Sequence, residues 1–167
     1  SPAESNAASN ARARVNLALA KETEGNYSEA LVLAQKATES ALNKFGKSSY
    51  EYIDALSQYS KLQIFYGSIQ NAQSNGRVAL ELSIKMFGER HHLTSVAASN
   101  LAMAYSRLSK FKEAEVLYAL ALTGLISEYG ENSPVISTTK MNIGMLYNRQ
   151  GLTDRANAIL LDTAKGL

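Results

Sequence analysis

Three aromatic–glycine pairs recur along this chain at a fixed interval of 42 residues: Phe45-Gly46, Phe87-Gly88 and Tyr129-Gly130. A second series keeps the same spacing in a different phase, Gly25, Gly67, Ser109 and Gly151, and an alanine follows each member five residues on, at Ala30, Ala72, Ala114 and Ala156. Three series in one register are the signature of an internal repeat. A period of this size marks a solenoid, in which each unit is one supersecondary element that buries its apolar face on its neighbours. Such stacking creates an extended concave surface, so the repeat itself points to binding before any motif is read.

Between the glycines the apolar residues recur at three- and four-residue steps, as in Leu101, Ala104, Tyr105 and Leu108, and again in Ala114, Leu117, Tyr118, Ala121, Leu122 and Leu125. That is helical periodicity, and no useful stretch alternates at period two. The only prolines are Pro2 and Pro134, and Pro134 follows Ser133, an N-cap residue with proline at the first helical position. Glycine just past a helix end accepts the left-handed conformation that stops it, so Gly25, Gly67, Gly151, Gly46, Gly88 and Gly130 read as helix stops. Gly144 reads as a close helix crossing. The pattern predicts first helices near residues 5–24, 49–66, 91–108 and 133–150, and second helices near 27–45, 69–87, 111–129 and 153–165. The expected fold is all-α: a right-handed α-solenoid of four stacked antiparallel helical hairpins. It forms a single domain over 1–167, with units 5–45, 49–87, 91–129 and 133–165.

Composition narrows the function. A net charge of +2 without a Lys/Arg run gives no nucleic-acid footprint. The absence of cysteine removes disulfides, thiol catalysis and thiolate metal sites. No apolar run reaches the length of a membrane span. The polar start lacks a signal-peptide core, which favours the cytoplasm, and the lack of an initial Met suggests a processed end or a longer native chain. His91 and His92 are adjacent and point in different directions, so they suit capping or surface positions better than a metal site. No serine has a histidine or cysteine partner to activate it, and no glycine-rich phosphate loop occurs. The expectation is a non-enzyme without cofactor or metal.

The register of large, small and aromatic residues resembles the tetratricopeptide repeat across nearly the whole chain. The third unit carries Leu101, Ala102, Tyr105, Ala114, Tyr118 and Ala121, and the fourth Ile143, Gly144, Tyr147, Ala156 and Leu160 before departing at Thr163. The first has Leu17, Ala18, Ala30, Ala34 and Ala37, with Lys21 in place of the aromatic. The second departs furthest, with Tyr59, Ser60, Gln63, Ala72, Gly76 and Ala79. The period exceeds the family's usual ~34 residues, and the additional length lies in the joints FGKSSYEYI, FGERHHLTSV and YGENSPVIST. Those joints resemble the kinesin light chain class of repeats.

The resemblance implies a concave groove lined by the first helices. Asn16, Gln58, Asn100 and Asn142 again fall 42 apart, each one residue before the large apolar position of a first helix. In kinesin-light-chain-like relatives, asparagines here reach the backbone of a bound extended peptide, a task suited to a group that both donates and accepts. Their alternative is to bond neighbouring helices. Around them Lys61, Phe65, Ser99, Met103, Arg107, Met141, Met145 and Arg149 would line the groove. The methionines would give an adaptable apolar floor and the cations would favour an acidic segment; the alternative places Met in the core and the cations in solvent. The carboxylate clamp of some tetratricopeptide co-chaperones is not matched, because Val15 and Leu19 stand where it needs Lys and Asn. The expected function is a scaffold or adaptor that binds a peptide segment of a partner protein, with an acidic ligand in view. The alternative is a self-association module or the regulatory domain of a larger protein. The final helix, with Ala156, Ile159, Leu160, Leu161 and Leu167, would be the homo-oligomer contact.

Overall fold

The structure is a computed structural model and describes residues 2–165. It contains, among the described residues, eight helices and no strand: α1 (Pro2–Thr23), α2 (Tyr27–Phe45), α3 (Tyr50–Tyr66), α4 (Ile69–Phe87), α5 (His92–Arg107), α6 (Phe111–Tyr129), α7 (Pro134–Arg149) and α8 (Thr153–Lys165). The expected boundaries agree to within a residue or two, except that α1 begins three residues earlier. Local chemistry places the ends. Three N-caps stand at equivalent repeat positions: Ser49 Oγ accepts from Tyr52 N at 3.2 Å, His91 Nδ1 from Leu93 N at 3.1 Å and Ser133 Oγ from Val135 N at 3.4 Å. Each satisfies one of the amides that a helix start leaves without a partner.

Five of the six glycine stops adopt the left-handed conformation, with φ between 75° and 84°. Gly67 does not; its φ is −130°. Helix α3 runs on to Tyr66, and the Gly67 amide still bonds Gln63 O at 3.2 Å. Only Gly67 and Ser68 remain before α4, and Ser68 Oγ already accepts from Asn71 N at 3.3 Å. The expected left-handed stop is therefore replaced by an extended residue leading into a serine-capped start. At the third member of the series, Ser109 takes the left-handed conformation without being glycine, at φ 58°.

The chain divides into two compact units, one up to Leu82 and one from Ser83 onward, with the boundary inside α4. In the first unit α2 packs on α1 and α3, and α1 also meets α3. Its core joins Ala18, Ala30, Ala34 and Leu62, with Leu31, Leu33 and Tyr59 against them. Small residues at the crossings let the helix backbones approach. The most divergent repeat solves its packing with polar bonds. Buried Ser60 Oγ donates to Ala72 O at 2.9 Å, and Asn75 Nδ2 donates to Gln63 Oε1 at 2.8 Å. Gln63 and Asn75 occupy the repeat positions that hold Tyr105 and Leu117 in the next repeat, both packed against that unit's core. One amide–amide bond thus replaces an aromatic–aliphatic contact. A buried amide without such a partner would cost about 1–3 kcal/mol.

In the second unit α5 packs on α6, α6 on α7, α7 on α8, and α5 on α7. Its core is Ala102, Ala114, Tyr118, Ile143 and Leu146. Burial pushes the Tyr118 phenol above its ordinary range, with the Arg149 charge acting in the opposite sense. Gly144 sits at a helix crossing as expected: a Cβ there would lie 2.8 Å from Cγ of Leu160 on α8. Most of the apolar face of α8 is spent on this packing, since Ala156 is fully buried and Ile159 and Leu160 are half-buried. Leu161 is exposed, while Leu167 lies outside the described residues.

Candidate protein-interaction surface

In the first unit the candidate groove residues sit on two helices that touch, α1 and α3. Asn16 is exposed, Gln58 and Lys61 are half-buried, and Phe65 is exposed near the end of α3. A residue pair missed by pattern reading ties these helices together: the Arg12 guanidinium forms an ion pair with buried Asp54. The two lie 42 residues apart, so they hold the same repeat position on successive first helices. That coincidence was the available signal, and opposite charges on one repeat position would have disclosed it. Above the pair a cleft of about 340 Å³ opens between Ala8, Ala11, Val15 and Tyr50.

In the second unit the corresponding surface lies on α5 and α7, which also touch. Ser99 and Met103 are half-buried. Met141 and Met145, one helical turn apart on α7, are 51% and 52% exposed. Arg107 and Arg149 end α5 and α7 at the same repeat position, both exposed. The surface therefore combines a pair of soft, flexible apolar side chains with two guanidinium groups at one edge. It can supply adaptable apolar contact and paired donors for carboxylates.

The amide series does not behave as a uniform ladder. Asn16 is exposed, Gln58 and Asn142 are half-buried, and Asn100 is 6% exposed. Identical sequence spacing thus leads to three different degrees of access. Removing the Asn100 carboxamide would disturb buried structure as well as any ligand contact.

The histidines have local duties. His91 caps α5 and stacks on Phe87 at 4.6 Å, and His92 Nδ1 lies 3.1 Å from the Tyr129 hydroxyl. Among the described residues no group of His, Cys, Asp or Glu has the arrangement of a metal site, and no helix is long and apolar enough to cross a membrane.

Comparison with known proteins follows the same division. Residues 93–165 match the tetratricopeptide repeat family model, and residues 2–63 match a domain of unknown function (DUF6340). A search of curated protein sequences gave no significant match. Among solved structures, the chain is similar to BtubC (BKLC) from P. vanneervenii, with 27% identity and a TM-score of 0.72. That alignment covers 90% of this chain and 61% of the other, so this chain spans about three-fifths of the BtubC length. It is also similar to the nearly identical TPR-like repeats of a kinesin light chain type protein from Podosopora anserina. There the TM-score is 0.80 and the identity 17%, over 96% of this chain and 78% of that one. Residues 93–165 are therefore tetratricopeptide repeat sequence, and the chain has the fold of TPR-like repeats of the kinesin light chain type.

Proposed function

We propose that this chain is a non-catalytic scaffold that binds a segment of a partner protein on the first-helix face of its repeats. The tetratricopeptide repeat fold is in general one of protein–protein interaction, and the family is typically non-catalytic. The observation that carries the finer reading is on α5 and α7: Met141 and Met145 stand half in solvent beside exposed Arg107 and Arg149. Large apolar side chains left in water next to guanidinium groups suit a ligand with apolar anchors and a carboxylate. Asn142, half-buried on the same helix, would bond the ligand backbone.

The test is titration of labelled peptides carrying leucine and aspartate against the wild type, Met141→Ser/Met145→Ser and Arg107→Glu/Arg149→Glu. Both variants should weaken binding, the charge reversal more so at low salt, because exposed charges are screened within about 10 Å at 0.1 M. Equal affinities across the three proteins would move the ligand elsewhere. A second reading, self-association through α8, rests on Leu161, which is 62% exposed. Sedimentation of Leu161→Glu against the wild type would separate it from partner binding.

A further inference from the structure

The first unit carries an exposed aromatic cluster that the α5–α7 surface does not use. Tyr27 opens α2 and Tyr66 closes α3, and their rings stack at 4.0 Å with planes 9° apart. Phe65 lies 5.9 Å from the Tyr66 ring at a tilt of 44°. All three remain accessible, at 45% for Tyr27, 41% for Phe65 and 36% for Tyr66. Three large rings gathered in water forgo much of the free energy their burial would supply.

A third helix brings a carboxylate into the neighbourhood of the cluster. Burial, and after it the charge of Glu22 on α1, raises the pKa of the Tyr66 phenol above the ordinary tyrosine value. The stacked pair joins the start of α2 to the end of α3 and forms a preorganised platform, so a ligand would not have to order those rings. The surrounding charge gives the platform its chemistry. Two carboxylates, Glu24 and Glu29, flank the cation Lys21, whose Nζ lies 2.9 Å from Glu24 and 3.6 Å from Glu29, and Glu22 adds a third carboxylate on the same stretch of chain. The nearest cation on α3, half-buried Lys61, stands one turn before Phe65.

An open aromatic face in an acidic field is matched by a guanidinium. It is planar and weakly hydrated, stacks on rings, and pairs with carboxylates through fixed N–H donors. An ammonium is more strongly hydrated and cannot stack in this way. We propose that Tyr27, Phe65, Tyr66 and Glu22 form a docking site for an arginine side chain presented by a partner protein. This site stands on the first unit alone; it shares Phe65 with the candidate groove residues of α3 but no residue with the α5–α7 surface assigned above.

The experiment uses the full chain and three acetylated Gly-Gly-Xaa-Gly-Gly amides in which Xaa is arginine, lysine or citrulline, followed by NMR of the aromatic side chains. The arginine peptide should shift the Tyr27, Phe65 and Tyr66 ring signals saturably. The lysine peptide should bind about 2- to 5-fold more weakly, the factor that an exposed cation–π contact represents, and citrulline should have no effect. Tyr66→Leu and Glu22→Gln should each reduce arginine binding by a similar factor, while Arg107→Glu/Arg149→Glu should leave it unchanged. Glu22→Gln preserves side-chain size, so the test stands even where Tyr66→Leu perturbs the fold. Equal binding of the arginine and lysine peptides, or ring signals that do not respond to either, would overturn the proposal.

Discussion

Replacing Ser95 with alanine should make this protein more stable although it deletes a polar group. Ser95 lies on α5 with 0% exposure, and its hydroxyl has no hydrogen-bond partner among the described residues. A buried donor left unpaired costs about 1–3 kcal/mol, and alanine removes it while keeping Cβ in place. Against that gain stands the space of one oxygen atom, about 0.3 kcal/mol at ~24 cal/mol per Å³ of cavity. Alanine also has the better helix propensity, by up to about 0.5 kcal/mol. The net expectation is about 1–3 kcal/mol of stabilisation, a rise in Tm of about 2–12 °C for a chain of this size.

The same hydroxyl makes a second, sharper prediction through Gly124 on α6. A Cβ built on Gly124 would overlap Ser95 Oγ, whereas the next nearest atoms, Glu89 O at 3.4 Å and Arg90 O at 3.5 Å, are at ordinary contact. In the wild type, Gly124→Ala must displace the serine hydroxyl. In the Ser95→Ala background that obstacle is gone, and the substitution should add about 0.8–1 kcal/mol of helix propensity. Urea unfolding of the four proteins of this cycle, followed by far-UV circular dichroism, measures the coupling. A coupling energy of about 1 kcal/mol or more is expected, since neighbours that share space are not additive. Additivity within ~0.3 kcal/mol, or a less stable Ser95→Ala, would refute the reasoning by showing that the hydroxyl neither fills this space nor lacks a partner.

Other substitutions test the joints and the core. His91→Ala should lose about 1 kcal/mol with the cap of α5, while His91→Ser should lose little, because serine caps at the equivalent positions 49 and 133; thermal melts of the two variants decide it. Ser109→Gly should stabilise by about 0.5–1 kcal/mol, since Ser109 holds φ at 58° where a side chain is strained; an unchanged urea midpoint would contradict this. Tyr118, buried with its phenol pKa raised, keeps its proton when folded at a pH where the unfolded chain releases it. Its contribution is present in full below about pH 10 and declines above it. The fall in urea midpoint between pH 9 and pH 11 should therefore be smaller in Tyr118→Phe than in the wild type.

What the linear order determined by itself was the set of helices and most of their ends. Capping by Ser49 and Ser133, proline at position 134 and glycine after the helices act over two to four residues, so the interacting partners are visible in the string. The repeat then multiplied each weak signal along the chain, which made the resemblance to tetratricopeptide repeats legible. The tertiary structure decided what depends on the facing helix. Gly67 and Ser109 share one repeat position, yet the glycine is extended and the serine left-handed, because α3 runs on to Tyr66. Gln63 and Asn75 look like repeat decay in the sequence and become a hydrogen-bonded pair only when α3 meets α4. Asn100 and Asn16 are equivalent by spacing but opposite in burial. Tyr27, at the start of α2, finds Tyr66 across a helix boundary that no period predicts. Periodicity sets which face of a helix a residue occupies. Its access to water, its partner and therefore its chemistry are set by what the neighbouring helix brings against that face.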